Sequence, residues 1–344
     1  MSVSPTRVLV VDDSPLVRQI LVDMLRKEPD IEVVGYARDG EEALARIAEC
    51  DPHVVTMDSD MPGLDGLGCV RRLMESRPVP VVMVSILNAG GVESTLDALA
   101  LGAVDVVCKP ESGSISTLRG IREELVAKVR QARYAQVRPL VPVGRFDVGP
   151  SERVLLLTGS MGGTRSLMSL FESFGPGFGA SVLAVQHVPG GLVGPLAQRL
   201  DGVGAMPVKE ARPGDRVVPG VALFAPSGCH MTVRKNGLLQ FDYQPVFNGV
   251  RPAADRLFES AAAAFGERCV AAVLSGGGYD GADGAMAIRR AGGTVLVESE
   301  ETAASFDLPS AVIANGAADA ALPIHAMGQA VAEALGSSQF RRAA

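Results

Sequence analysis

The chain has 344 residues, long enough for two separate cores rather than one mid-sized domain. Its formal net charge is −7 and no dense Lys/Arg block occurs in it, which argues against nucleic acid or an anionic membrane surface as a partner. No segment approaches the ~18 uninterrupted apolar residues of a membrane span, and the N-terminus runs into a strand without an apolar leader region, so a cytoplasmic protein that is not membrane-inserted is expected.

In chain order, apolar runs at Val8–Val11, Ile31–Ala37, His53–Met57, Val79–Val84 and Val104–Cys108 predict strands. Helical stretches such as Leu16–Lys27, Gly40–Glu49 and Val92–Leu101 alternate with them. The pattern is an N-terminal (βα)5 unit with an open parallel sheet, whose carboxyl edge is where ligands bind. Asp12 and Asp13, Asp58, Ser85 and Lys109 with Pro110 each follow a strand, so all belong on that edge. Three carboxylates on one edge repel each other unless a cation sits among them, and hard oxygen donors suit Mg²⁺. Asp58 can then act as a nucleophile that becomes an aspartyl-phosphate. Lys109 would pair with the phosphoryl oxygens and the Ser85 hydroxyl would bond one of them. Helix capping explains a single strand-end aspartate equally well, but not the whole set in register.

The stretches Leu9–Ser14, Met57–Gly66, Val84–Ser85, Gly102–Asp105 and Lys109–Pro110 resemble a response-regulator receiver domain of flavodoxin-like fold, drawn here over residues 1–125. By that resemblance Asp12, Asp13 and Asp58 hold Mg²⁺, Asp58 accepts the phosphoryl group, Ser85 and Lys109 sense it, and the Lys109–Pro110 bond is a candidate cis peptide. Many receivers carry an aromatic switch residue three positions before the lysine; this chain has Val106, so that relay is not expected.

The charged helical stretch Glu123–Arg133 leads into Arg138-Pro139-Leu140-Val141-Pro142 and Gly144. Prolines at that density stiffen an extended segment, and residues 126–150 are therefore expected to form an interdomain linker. The five cysteines (Cys50, Cys69, Cys108, Cys229, Cys269) are odd in number and scattered, and are expected to be small buried hydrophobes in a reducing compartment.

From residue 151 to 344 a second α/β rhythm predicts a doubly wound, mostly parallel sheet, with strands at Arg153–Thr158, Ser181–Val185, Val221–Ala225, Val270–Leu274 and Thr294–Val297. Helices alternate at Arg165–Phe174, Gly194–Leu200, Pro252–Phe265, Gly281–Ala291 and near Ile324–Leu335. The turn Thr158-Gly159-Ser160-Met161-Gly162-Gly163 exposes a hydroxyl at a helix N-terminus, where free N–H groups stabilise an anion. Its spacing is not the G-x-G-x-x-G of a dinucleotide site, and Gln186-His187 stand where a ribose-binding acid is expected. Nor is it a G-x-S-x-G elbow, because Thr158 replaces the first glycine.

Neighbouring strand ends lie about 4.8 Å apart, close enough for Ser160 as nucleophile, His187 as general base and Asp280 as orienter to form an acyl-transfer triad. Taken singly, each has a plainer role: Ser160 a helix cap, His187 a strand-end histidine, Asp280 the cap of the next helix.

Ser160–Gly163, Val185–Pro189, Phe224–Met231, Arg251–Ser260 and Leu274–Gly281 resemble the catalytic domain of the chemotaxis protein-glutamate methylesterases over residues 151–338. That resemblance implies hydrolysis of glutamate methyl esters on methyl-accepting chemoreceptors, with glutamine deamidation, by Ser160, His187 and Asp280 and without a cofactor for the hydrolysis. A sensor histidine kinase of the chemotaxis type is the implied phosphodonor, and the unphosphorylated receiver is expected to cover the Ser160 cleft. Met161 replaces the family's usual threonine and Gly277 a methionine thought to line the site, so an altered oxyanion pocket is expected. Those departures motivate an alternative, a receiver-gated module that binds receptor or kinase without turnover; a third is an esterase or amidase with another target. His230 is expected either beside the substrate or in packing, and His53 and His325 in surface or packing positions.

Overall fold

Strand β1 (Thr6–Val11) is buried at all but one position, as a strand covered on both faces must be. It pairs in parallel with β2 (Ile31–Ala37) and β3 (Val54–Met57), and β4 (Val81–Ile86) and β5 (Asp105–Lys109) extend the sheet to the order β2-β1-β3-β4-β5. This is the expected flavodoxin-like order. The computed structural model describes residues 4–110, 115–138, 143–149, 151–203 and 206–336. They fall in two units, residues 1–139 and 140–344.

In the first unit Asp39, Asp65 and Asn88 each cap the helix that follows, accepting amide hydrogens three residues on. Those side chains are consumed as helix caps, whereas Asp58 caps none of these helices. The helix Arg122–Ala132 buries Leu125, Val126, Val129 and Ala132, and its Lys128 pairs with Asp105 of β5 at 3.0 Å. The unit therefore extends past the boundary expected at 125, because the charged stretch there carries an apolar stripe at helical spacing. Residues 139–142 of the expected linker lie outside the described residues. By Phe146 the chain has joined the second unit, where it pairs with Phe174. The cis peptide bond among the described residues is Arg251–Pro252 and not Lys109–Pro110.

The second unit is built on β6 (Val154–Gly159), β7 (Ser181–Gln186), β8 (Val208–Glu210), β9 (Ala222–Phe224), β12 (Cys269–Val273), β13 (Thr294–Glu298) and β14 (Ala320–Leu322). They are all parallel in the order β14-β13-β12-β6-β7-β9-β8. A separate antiparallel hairpin, β10 (His230–Val233) with β11 (Leu239–Asp242), turns at Asn236-Gly237, where Gly237 takes φ +79°. The sequence expectation did not include this hairpin, although an Asn-Gly pair between short alternating runs is its usual signal. Phe171, Phe174, Phe178 and Phe224 pack together beside the sheet, with Phe174 and Phe178 stacked at 3.9 Å.

Strand order reverses between β1 and β3 in the first sheet and between β6 and β12 in the second. In open parallel sheets the crevice outside such a reversal is the ligand position. Among the described residues no helix is long and apolar enough to cross a membrane, and the five cysteines are all free.

Candidate functional sites at the two sheet edges

At the first reversal, Asp12 follows β1 and Asp58 follows β3, and both are buried, 1 % and 7 % exposed. Lys109, the last residue of β5, reaches across to place Nζ 2.6 Å from Asp12 Oδ2 and 2.6 Å from Asp58 Oδ2. Asp13 is exposed, and one oxygen from each of Asp12, Asp13 and Asp58 lies within 4.8 Å of the others. Burial, and then the adjacent Asp12 charge, push Asp58 up to about 6 against the pull of Lys109. Burial alone would lower the Lys109 ammonium, but the Asp58 and Asp12 charges outweigh it and hold it above its ordinary value. Three carboxylates against one ammonium leave negative charge in a confined site, and an all-oxygen donor set of this kind fits a hard divalent cation. The Ser85 hydroxyl is fully buried with no hydrogen-bond partner among the described residues, a state that costs about 1–3 kcal/mol until an acceptor arrives. Val106 is buried, with no aromatic in its place.

At the second reversal, β6 ends at Gly159 and delivers Ser160. Its amide donates to the Ser275 carbonyl at 3.0 Å, which ties the turn to the loop after β12. Ser160 Oγ accepts the Gly277 amide hydrogen at 2.8 Å and faces the Gly277 carbonyl at 3.2 Å. The loop runs so close that a Cβ on Gly276 would lie 2.8 Å from Ser160 Oγ. Gly162, at φ +72°, makes the sharp turn into the helix Gly163–Glu172, and a Cβ there would sit 2.5 Å from Ala304 Cβ. The Met161 and Gly162 amides donate no hydrogen bond within the protein among the described residues. Beneath the turn, Gln186 Nε2 donates to the Ser160 carbonyl at 3.3 Å.

His187, just past the neighbouring strand β7, places Nε2 2.8 Å from Asp280 Oδ2. Asp280 also accepts the Ala254 amide at 2.6 Å through Oδ2 and the Asp255 amide at 3.3 Å through Oδ1, so its charge sits at a helix N-terminus. The structure thus joins two of the three expected residues. Ser160 lies on the adjacent strand end, held by Gly277, and no hydrogen bond links it to His187.

The two departures from the usual pattern fall in different places. The Met161 side chain is buried and its carbonyl accepts the Ser275 hydroxyl at 2.7 Å, so that change is packed inside. Gly277 touches Ser160 directly through its amide. His230 is buried, accepting the Ala253 amide at Nδ1 (3.1 Å) with Nε2 3.2 Å from the Pro245 carbonyl, so both ring nitrogens are engaged by backbone. His53 likewise accepts the Arg7 amide, at 3.1 Å.

Sequence reasoning passed over two buried acids. Glu298 accepts the Ser275 amide at 2.8 Å behind the Ser160 loop, and burial raises its carboxyl. Asp255 is pushed up to about 6 by burial, assisted by the Asp280 charge and opposed by the Gly284 and Gly281 amides. Asp255 gave no signal because an acid in the first turn of a helix is commonplace.

A CheB methylesterase family model matches residues 155–331, and a response regulator receiver domain model matches residues 8–118. A protein-glutamate methylesterase/protein-glutamine glutaminase of Symbiobacterium thermophilum is 44% identical, covering 96% of this chain and 98% of the relative. A protein of the same description from Thermotoga maritima is 40% identical over 93% of this chain and 95% of its own length. Among solved structures, the Thermotoga maritima CheB methylesterase catalytic domain is 36% identical with a TM-score of 0.51, covering 53% of this chain and 98% of that one. The paired acidic and Ser-His-Asp edges thus occur in a chain that belongs to the protein-glutamate methylesterase/protein-glutamine glutaminase family, with a response regulator receiver domain at its N-terminal end.

Proposed function

We propose that this chain is a cytoplasmic, phosphorylation-activated hydrolase of glutamate methyl esters, and of glutamine side-chain amides, on chemoreceptors, with Ser160, His187 and Asp280 as its catalytic residues. The observation that carries this is the 2.8 Å His187–Asp280 hydrogen bond on the strand end beside Ser160, at the reversal of the sheet. With Nε2 committed to Asp280, Nδ1 of His187 is the nitrogen left to take the Ser160 proton. Rotation of Ser160 off Gly277 precedes that transfer. Ser160 Oγ then bonds to the ester carbon, the developing oxyanion takes hydrogen bonds from the free Met161 and Gly162 amides, and the C–O bond to methanol breaks as His187 returns the proton. Water attacks the acyl-serine with His187 again as base, which releases the glutamate and restores Ser160.

On the receiver, Asp12, Asp13 and Asp58 would hold Mg²⁺, which supplies charge neutralisation to the transferring phosphoryl group. Asp58 is the acceptor for a phosphoryl group from a sensor histidine kinase. Lys109 can exchange its Asp58 contact for a phosphoryl oxygen, and the unpartnered Ser85 hydroxyl can donate to another.

The experiment is methanol release from methylated receptor membranes, with and without a small phosphodonor. Release should rise with the phosphodonor in the parent chain and stay basal in Asp58→Asn, and Ser160→Ala should lower turnover by several orders of magnitude. A chain that binds receptor but releases no methanol under either condition would be the receiver-gated binding module instead.

A further inference from the structure

We propose that Asp255 is a positioning residue for the His187–Asp280 pair, acting through a reciprocal clasp in which each carboxylate caps the helix that begins beside the other. The inference rests on the catalytic reading of His187 and Asp280. The helix Ala254–Phe265 starts at Ala253, which has no capping side chain, and the helix Ala282–Arg290 starts at Gly281, which has none either. The first amides of a helix lack internal partners and must find them elsewhere. Here they find them across the helix pair. Asp280 takes the Ala254 and Asp255 amides at 2.6 and 3.3 Å, and Asp255 Oδ1 takes the Gly281 and Gly284 amides at 2.9 and 2.8 Å. Asn248 Nδ2 donates to Asp255 Oδ2 at 3.2 Å, so both oxygens of this fully buried carboxylate are occupied.

The clasp matters for chemistry because one atom belongs to both systems. Asp280 Oδ2 receives the Ala254 amide and also faces His187 Nε2. The direction of that oxygen is therefore set by where the helix Ala254–Phe265 begins, and Asp255 fixes that start to the segment that carries Asp280. Close approach is built in, since a Cβ on Gly284 would come within 2.5 Å of Phe258 Cβ and 3.0 Å of Asp255 Cα. Two buried carboxylates so near each other are tolerated because each sits at a helix N-terminus and accepts two amide hydrogens. A cap that served stability alone would have no reason to share an oxygen with the imidazole.

The test uses the full-length chain with a phosphodonor, scored by kcat and KM for methanol release and by the downfield proton resonance of the His187 ring N–H held by Asp280. Asp255→Ala should lower kcat roughly 10- to 100-fold with KM within about twofold, and should abolish or broaden the resonance. Asp255→Asn keeps an oxygen for the Gly281 and Gly284 amides, and should restore kcat to within about fivefold of the parent together with the resonance. If Asp255→Ala does not fold, Asn248→Ala, which frees only Asp255 Oδ2, should give a smaller fall in kcat in the same direction with a broadened resonance. A folded Asp255→Ala or Asn248→Ala with parental kcat and resonance overturns the proposal. So does a fall in kcat that leaves the resonance sharp, or one that Asp255→Asn does not relieve. Failure of the catalytic reading is distinguishable, because Ser160→Ala would then retain turnover while the resonance still reports on the clasp.

Discussion

Removing the charge of Asp58 should stabilise the receiver unit at neutral pH when divalent cations are chelated. Burial raises this carboxyl from 3.8 to about 6 in the folded chain, with the Asp12 charge adding to the rise and Lys109 opposing it. Because the folded pKa lies above the unfolded one, the folded state holds the proton more tightly. The stability this contributes is complete below the unfolded value of 3.8 and is lost as pH rises through about 6. At 1.36 kcal/mol per unit, the displacement from 3.8 to about 6 amounts to about 3 kcal/mol. Asp58→Asn fixes the site in its neutral form and leaves an oxygen for the Lys109 ammonium, which still pairs with Asp12 at 2.6 Å. Its gain should grow from near zero at pH 4 to about 3 kcal/mol at pH 7.5, or about 10 °C in the midpoint of a unit of this size. The chain has no tryptophan, so scanning calorimetry of the full-length protein in a chelating buffer is the suitable assay. Added Mg²⁺ should narrow the difference by stabilising the parent more than the variant. A variant no more stable than the parent at pH 7.5, or a gain that does not change between pH 4 and 7.5, would refute the reasoning.

Two substitutions probe the second edge. Gly276→Ala places a methyl 2.8 Å from Ser160 Oγ and 3.1 Å from Ser160 N, and should lower kcat about 100-fold with receptor affinity retained; unchanged turnover would show that this loop does not set the nucleophile. Met161→Thr removes apolar volume from a position 1 % exposed, so it should cost about 1–3 kcal/mol in urea unfolding with activity per folded molecule unchanged. A change in kcat at parental stability would show that the side chain at 161, and not only its amide, reaches the reacting pocket.

What the sequence made legible follows from how parallel sheets are wired. Each strand of such a sheet is a mostly apolar run, so its end is visible where polar residues resume; Asp12 and Asp58 stand directly after Val11 and Met57, and Ser160 and His187 stand two residues beyond Thr158 and Val185. Which strand ends become neighbours is a property of strand order. The expected flavodoxin-like order placed Asp58 beside Asp12, and the adjacency of β6 with β7 and β12 brings Ser160 between His187 and the Asp280 loop. The short strands β8, β10, β11 and β14 carry too few residues for a period to show. The linker boundary misled because charge along Arg122–Ala132 hid the four buried positions on its inner face.

The supporting residues of the site were illegible for a different reason. Asp255 grips amides 26 and 29 residues away, and Glu298 one that is 23 residues away, and nothing in local spacing encodes a hydrogen bond to a distant backbone. Such bonds become necessary only once two helices start at the same place without capping residues of their own, which is a fact of packing. The same packing gives Asp280 its two occupations. Asp280 looks locally like the cap of the helix that follows it, yet it caps the preceding helix, Ala254–Phe265, and orients His187, while the cap of the following helix is supplied by Asp255. The cap role and the proposed triad role, alternatives at the level of sequence, are compatible in one carboxylate, because Oδ2 is close enough to serve an amide at 2.6 Å and an imidazole at 2.8 Å.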